Sequence, residues 1–388
     1  MIRKTVLILV LFFLISSVIP NAVYSFSEED FESNAILLME HHTGEIVVSF
    51  NMHDKVYPAS TTKIMTLLIA LEDLSQGEIS LDDEVPITER AASMGGSQLF
   101  LSAGDVIDME SLLIGITVGS GNDASVAVAE YLAGSEEAFV DRMNQRAEEL
   151  GMRNTHFVNS NGLHDDQHYS TAYDIALMSR ELLTYPIFFR WSQIWMDEHF
   201  LEGRIRAGRV FLSNTNRLIR YYQGCDGVKT GYTRESGHSI SASAERNGTR
   251  FIAVVMGASN SDTRYEEAKK LLDYGFINYY SVVLIPRNKV VASLPVDRGH
   301  TIEIDVVALE NLSLLVKKGE ENNFEIEYNL PARLEAPLEK GHSVGTAKAL
   351  FQDQPIKEID LVLADDILKV SFPQLLSRYL EIWLRFIN

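Results

Sequence analysis

The chain has 388 residues, 46% of them hydrophobic and 23% charged, with 24 glycines and 10 prolines. That composition excludes a disordered, collagenous or multi-span membrane protein, and the length allows two or three domains with a large buried core. Lys and Arg number 34 against 54 Asp and Glu, a net charge of −20 that argues against a nucleic-acid partner, and the single cysteine, Cys225, excludes an internal disulfide or a cysteine-built metal site.

The first 25 residues read as a signal peptide. Arg3 and Lys4 supply a positive start, residues 5–19 are almost unbroken apolar sequence, and Val23 and Ser25 are small enough for a cleavage site before Phe26. The alternative is an uncleaved anchor, for which the run is short. Residues 35–38 and 46–50 predict a hairpin turning at His42-Thr43-Gly44. Tyr57-Pro58-Ala59-Ser60 marks a helix start. Residues 61–75 behind it are apolar nearly all round, which predicts a central buried helix ended by Gly77. Residues 109–183 read as mainly helical. Strands at 239–245 and 249–255 flank Asn247-Gly248, a strong hairpin signal, and a last helix covers 265–274.

After about Ser281 the pattern becomes short alternating segments with Gly, Pro and Asn breaks. This predicts a separate small all-β domain over residues 282–371. In residues 372–388 the polar side chains of Gln374, Ser377, Arg378, Glu381, Arg385 and Asn388 share one stripe, and the remaining girth is apolar. An amphipathic helix lying in a membrane surface fits, with Tyr379 and Trp383 at headgroup level. The alternative is packing against the protein's own core or in a dimer.

Three short motifs carry the chemical case. In Ser60-Thr61-Thr62-Lys63 a hydroxyl and an amine share one helix face, one turn apart. The serine is a weak nucleophile unless a base takes its proton, and lysine serves only if burial or a nearby cation keeps it neutral. Ser120-Gly121-Asn122 falls on a tight loop between two helices and can offer a hydroxyl and an amide; an ordinary capping turn is the plain alternative. Lys229-Thr230-Gly231 falls on a strand of the Asn247-Gly248 sheet, where it can bind an extended peptide and its carboxylate; a solvated strand end is the alternative.

In this order, S-x-x-K, S-x-N and K-T-G resemble the set described for penicillin-binding proteins and serine β-lactamases. The chain closely resembles the D-alanyl-D-alanine carboxypeptidases, the low-molecular-weight penicillin-binding proteins of peptidase family S11, from about Glu32 to Val370. Further points of resemblance are Pro58-Ala59-Ser60, Asn122-Asp123-Ala124, Gly162-Leu163 followed by Tyr169-Ser170-Thr171-Ala172, residues 266–275, and Ala336-Pro337-Leu338 leading to Lys340-Gly341 and Val344-Gly345. The resemblance implies a mixed α/β, serine β-lactamase-like catalytic domain over residues 26–281, with an antiparallel sheet and a helical region. A small β-sandwich and the terminal membrane-anchor helix follow it.

The resemblance also implies roles. Ser60 is the acylated nucleophile, Lys63 its base, Ser120 a proton relay and Asn122 a holder of the substrate's peptide bond. Lys229, Thr230 and Arg264 serve the terminal carboxylate. Gly231 lies in the binding strand, and the N–H groups of Ser60 and Tyr232 form the oxyanion hole. Tyr232 departs from members with histidine after K-T-G. The implied reaction removes the last D-Ala from peptidoglycan stem pentapeptides, with β-lactams acylating the same serine at the outer membrane face. No cofactor is called for. There is no H-E-x-x-H, and His164 and His168 beside Asp165-Asp166 read as solvated loop residues. One rival is a serine β-lactamase, but the Glu-x-x-Leu-Asn stretch of the class A enzymes does not occur between Ser120 and Lys229. The other is a non-catalytic wall protein, which would have lost Ser60 or Lys63.

Overall fold

The structure is a computed structural model that describes residues 26–319, 324–351, 354–371 and 373. The signal-peptide segment, and the C-terminal helix apart from Pro373, lie outside the described residues. Residues 26–32 form a unit of their own with a short 3-10 turn at Glu28–Asp30.

Five strands make the central sheet: β1 (Ala35–Glu40), β2 (Ile46–Phe50), β3 (Cys225–Thr233), β4 (Gly237–Arg246) and β5 (Thr249–Ala258). They run antiparallel in the order β2-β1-β5-β4-β3. The β4–β5 hairpin closes through Asn247 and Gly248, with φ of 53° and 79°, which these two residue types tolerate. Strand alternation divides the side chains. Ala35, Leu37, Met39, Ile252, Val254 and Met256 enter the main apolar core. Phe251 turns the other way, against Phe276 of the last helix.

The core itself is helical. Helix α1 (Lys63–Gln76) is buried along its first nine residues and ends at Gly77, whose φ of +76° makes the left-handed cap. Around it lie α2 (Asn122–Ala133), α3 (Glu136–Glu149) and α4 (Ala172–Leu182). The expected helical stretch over 109–183 is therefore interrupted: residues 150–171 contain no helix. The reason is local. Asn159, Asn161 and Asp165 turn their side-chain oxygens back onto the N–H groups of Gly162, Leu163 and Gln167, which offers the chain an alternative to helix. The last helix, α5 (Ser261–Asn278), is longer than its sequence pattern because Asn260 caps it by accepting from Asp262 and Thr263 N–H.

Among the described residues from Tyr279 to Ser371 the regular elements are all strands. Two strands, β6 (Tyr279–Ile285) and β9 (Leu312–Lys317), pair with each other. Six others form a second sheet: β7 (Val290–Asp297), β8 (Glu303–Ala308), β10 (Phe324–Asn329), β11 (Leu334–Glu335), β12 (Ser343–Phe351) and β13 (Gln354–Leu363), in the order β10-β12-β13-β8-β7-β11. Both sheets feed one apolar core that includes Val306, Leu312, Ala347 and Leu361. Cys225 is buried at the start of β3, and burial pushes its thiol up to about 12, so it behaves as a small apolar side chain.

Candidate active site

Ser60 sits in the 3-10 turn Ala59–Thr62 that leads into α1. The residue before it, Ala59, has φ of +48°, a conformation that costs a non-glycine residue about 1 kcal/mol or more. Packing holds it there from two sides. Gly162 passes so close that a Cβ would lie 1.9 Å from the Ala59 carbonyl oxygen, and a Cβ on Gly231 would lie 2.9 Å from Pro58 O and 3.2 Å from Ser60 N. Glycine is required at Gly162 also by its φ of +87°. The serine turn is thus clamped between the 159–163 loop and β3.

Lys63, one helical turn on, is fully buried. Its Nζ lies 3.0 Å from Ser60 Oγ, 2.6 Å from Asn122 Oδ1 and 2.6 Å from the Asn161 carbonyl oxygen. Burial first, then the Lys229 ammonium, push this amine well below the ordinary lysine value, against the pull of the Asp123 carboxylate. A neutral amine has two N–H groups and one lone pair. In that form the two carbonyl oxygens accept the two N–H groups, which leaves the lone pair for the serine hydroxyl.

Ser120 and Asn122 arrive from the other side of the cleft. A π-helical turn at Gly115–Gly119 ends in Ser120 with φ of +63°, and α2 begins two residues later. Ser120 Oγ is buried without a hydrogen-bond partner among the described residues. Asn122 Oδ1 accepts from Lys63 Nζ, while its Nδ2–H donates to Gly95 O at 2.7 Å and its N–H to Ser97 O at 2.7 Å. The buried Asp123 carboxylate accepts from Leu99, Leu101 and Ala124 N–H. It ties residues 99–101 to the start of α2.

The third wall is β3. Lys229 is 1% exposed, and its Nζ has the Thr230 carbonyl oxygen at 3.3 Å. Burial, aided by Arg264, pushes it down to about 7. Thr230 Oγ1–H donates to Thr215 Oγ1 at 2.9 Å. Tyr232 is two residues on, hence on the same strand face; its ring is 59% exposed and stacks on His238 at 4.3 Å. Arg264 does not point its guanidinium into the cleft. It donates to the carbonyls of Gly231 at 3.1 Å and Ser239 at 3.2 Å and to Tyr265 Oη. Its charge therefore acts on the site through the back of β3 and β4.

Eight of the nine residues singled out in the sequence line this cleft, and Arg264 lies behind it. Sequence reading missed others. Asn161 contributes through a main-chain carbonyl, which has no residue signature; Gly162 beside it was the only pointer. Thr215 carries no motif. His168 is not solvated as expected but 2% exposed: Val158 N–H donates to its Nδ1, so the proton sits on Nε2 and goes to Thr62 Oγ1 at 2.7 Å, under the serine turn. Burial pushes it down to about 4, so it is neutral at pH 7. Among the described residues no group of three or more His, Cys, Asp or Glu side chains is placed to hold a metal ion.

Comparison with known proteins identifies the family. Residues 22–260 match the peptidase S11 family, D-alanyl-D-alanine carboxypeptidase, and residues 279–369 match the C-terminal domain of penicillin-binding protein 5. The D-alanyl-D-alanine carboxypeptidase DacF of Bacillus subtilis (strain 168) is 40% identical over 361 residues, covering 93% of this chain and 92% of the relative. DacC of Escherichia coli (strain K12), also a D-alanyl-D-alanine carboxypeptidase, is 33% identical over 349 residues, covering 88% and 86%. The crystal structure of penicillin binding protein 5 from Haemophilus influenzae superposes with a TM-score of 0.73 at 29% identity, covering 89% of this chain and 100% of that one. The serine turn, its buried lysine and the strand beside them are thus carried on a shared fold along nearly the whole length, and the chain belongs to the D-alanyl-D-alanine carboxypeptidases of peptidase family S11.

Proposed function

We propose that this chain removes the terminal D-alanine from peptidoglycan stem peptides through an acyl-enzyme on Ser60. The observation that carries the proposal is the fully buried Lys63 amine 3.0 Å from Ser60 Oγ, with carbonyl oxygens taking its other two directions. The neutral amine takes the serine proton as Oγ attacks the carbonyl carbon of the penultimate D-Ala. The oxyanion is met by the N–H groups of Ser60 and Tyr232. The C–N bond then breaks, and the proton on Lys63 passes to the leaving amine through Ser120, whose unpartnered hydroxyl is free to relay it. Asn122 holds the substrate's peptide bond. Water next attacks the ester carbon as Lys63 takes its proton; the C–Oγ bond breaks, Lys63 returns that proton to Ser60 Oγ, and the shortened peptide leaves with a free carboxylate.

The carboxylate of the departing D-Ala belongs at Thr230, Lys229 and the strand edge of Gly231. An arriving carboxylate favours the charged form of Lys229, whose amine burial pushes down to about 7. Arg264 adds positive potential from behind the strand. β-Lactams acylate Ser60 by the same route.

The proposal extends to the rest of the chain. Residues 26–281 carry the chemistry, 282–371 form the β domain, and a signal peptide over 1–25 exports the protein. Residues 372–388 hold it on the outer face of the cytoplasmic membrane as a peripheral anchor; among the described residues no helix is long and apolar enough to cross a membrane. Mass spectrometry of the protein after penicillin exposure tests the centre of this reading: the adduct belongs on Ser60, and an adduct elsewhere, or none, overturns it. Release of D-Ala from a pentapeptide, measured beside penicillin hydrolysis, separates a carboxypeptidase from a β-lactamase.

A further inference from the structure

The lone pair of Lys63 is aimed by two acceptors, and one of them is only as firm as the loop that carries it. That loop is pinned at Ser160, the residue before Asn161. Ser160 is fully buried, and its carbonyl accepts from Thr66 Oγ1–H at 2.6 Å and Ser125 Oγ–H at 2.8 Å. Thr66 lies on α1 three residues past Lys63, and Ser125 on α2 three residues past Asn122. The other half of Ser160 is held from outside the cleft. Its N–H, at 3.0 Å, and its Oγ–H, at 2.8 Å, both donate to Glu136 Oε1.

Glu136 opens α3 and is 4% exposed. Its second oxygen, Oε2, accepts from Arg90 Nε at 3.1 Å and Nη2 at 2.6 Å. A carboxylate spanning an arginine and a buried main-chain amide makes stronger bonds than neutral partners do. No motif marks it, and it touches none of the groups that meet substrate.

We propose that Glu136 is a positioning residue for catalysis: through Ser160 it fixes the Asn161 carbonyl that takes one proton of the Lys63 amine. Ser160 directly precedes Asn161, so its main-chain position, held on one side by Glu136 and on the other by Thr66 and Ser125, limits where the Asn161 carbonyl can lie. With Glu136 removed, the Ser160 amide is left buried and unpaired, the loop turns to satisfy it, and the second anchor of the Lys63 lone pair is lost. Proton abstraction from Ser60 suffers. The carboxylate grip at Thr230 and Lys229 does not, because no contact links it to Glu136.

The inference rests on Lys63 acting as the base, and the test keeps the two apart. Wild type, Glu136→Ala, Glu136→Gln and Ser160→Ala are compared for the acylation rate with a fluorescent penicillin, for kcat and KM on a pentapeptide, and for thermal unfolding. Glu136→Ala is expected to acylate about tenfold more slowly with KM within about twofold of wild type, the scale of a sub-ångström misplacement of a reacting group. Glu136→Gln keeps an oxygen for both Ser160 bonds and is expected to recover most of the rate. Ser160→Ala loses one of the two bonds and is expected to fall between wild type and Glu136→Ala; if Glu136→Ala does not fold, this variant decides. Wild-type acylation in folded Glu136→Ala or Ser160→Ala overturns the proposal. So does a Glu136→Gln rate no better than that of Glu136→Ala. Failure of the wild type itself to label would sink the reading of Ser60 and Lys63, and this proposal with it.

Discussion

Replacing Gly231 by alanine probes the approach of β3 to the serine turn. The added Cβ lies 2.9 Å from the Pro58 carbonyl oxygen, 3.2 Å from Ala59 Cβ and 3.2 Å from Ser60 N. Ordinary contact begins at 3.4 Å, so the Pro58 oxygen is about 0.5 Å too close. None of these atoms belongs to a flexible side chain that can swing aside. The Pro58 carbonyl is tied further by Thr61 N–H at 3.2 Å and Thr61 Oγ1–H at 2.6 Å. The strand and the turn must therefore part, and the N–H of Tyr232 moves away from that of Ser60. Overpacking of this kind costs about 1–3 kcal/mol of stability. A misplacement of ~1 Å can cost ~100-fold in rate, so about half that distance sets an expected loss of roughly tenfold in acylation. The assay is stopped-flow labelling by a fluorescent penicillin beside thermal unfolding. Labelling within twofold of wild type, in a variant whose melting temperature has dropped, would refute the reasoning: the close approach would then serve packing and not the oxyanion site.

Ser60→Ala is expected to abolish penicillin labelling while leaving thermal unfolding near wild type; persistent labelling would reveal another nucleophile. Acid stability follows from His168, which burial lowers from 6.5 to about 4. Between those values the unfolded chain binds a proton that the folded chain refuses. Stability is therefore present above about pH 6.5 and lost as the pH falls toward 4, by about 3 kcal/mol for this group. Urea unfolding at pH 7 and pH 4.5 checks it: His168→Gln should lose less stability than wild type over that interval, and an equal loss would assign the acid sensitivity elsewhere. Truncation before Phe372 is expected to release active enzyme from membranes; a truncated enzyme that stays bound would place the anchor at the other end of the chain.

Much of the site was legible because its decisive spacings are local. One helical turn between Ser60 and Lys63 brings hydroxyl and amine together whatever the rest of the chain does. The Asn247-Gly248 turn sets the β4–β5 register without outside help, and the loss of helical period after Ser281 marks the strand-only region by pattern alone. Where side chains compete with the main chain the pattern misled, as in residues 150–171, whose Asn and Asp residues dissolve the expected helix.

The sequence alone determined which groups are present, in what order, and which neighbours within a turn of helix or hairpin must meet. Only the tertiary structure decided how far burial and Lys229 push the Lys63 amine down, and which groups surround it. The groups that aim it lie 59 and 98 residues away along the chain, and one is a main-chain carbonyl that any residue could supply. It also turned Arg264 onto strand carbonyls and placed Glu136 behind the loop. Burial and pairing of charge depend on what packs around a group, and that is a property of the folded chain and not of its linear order.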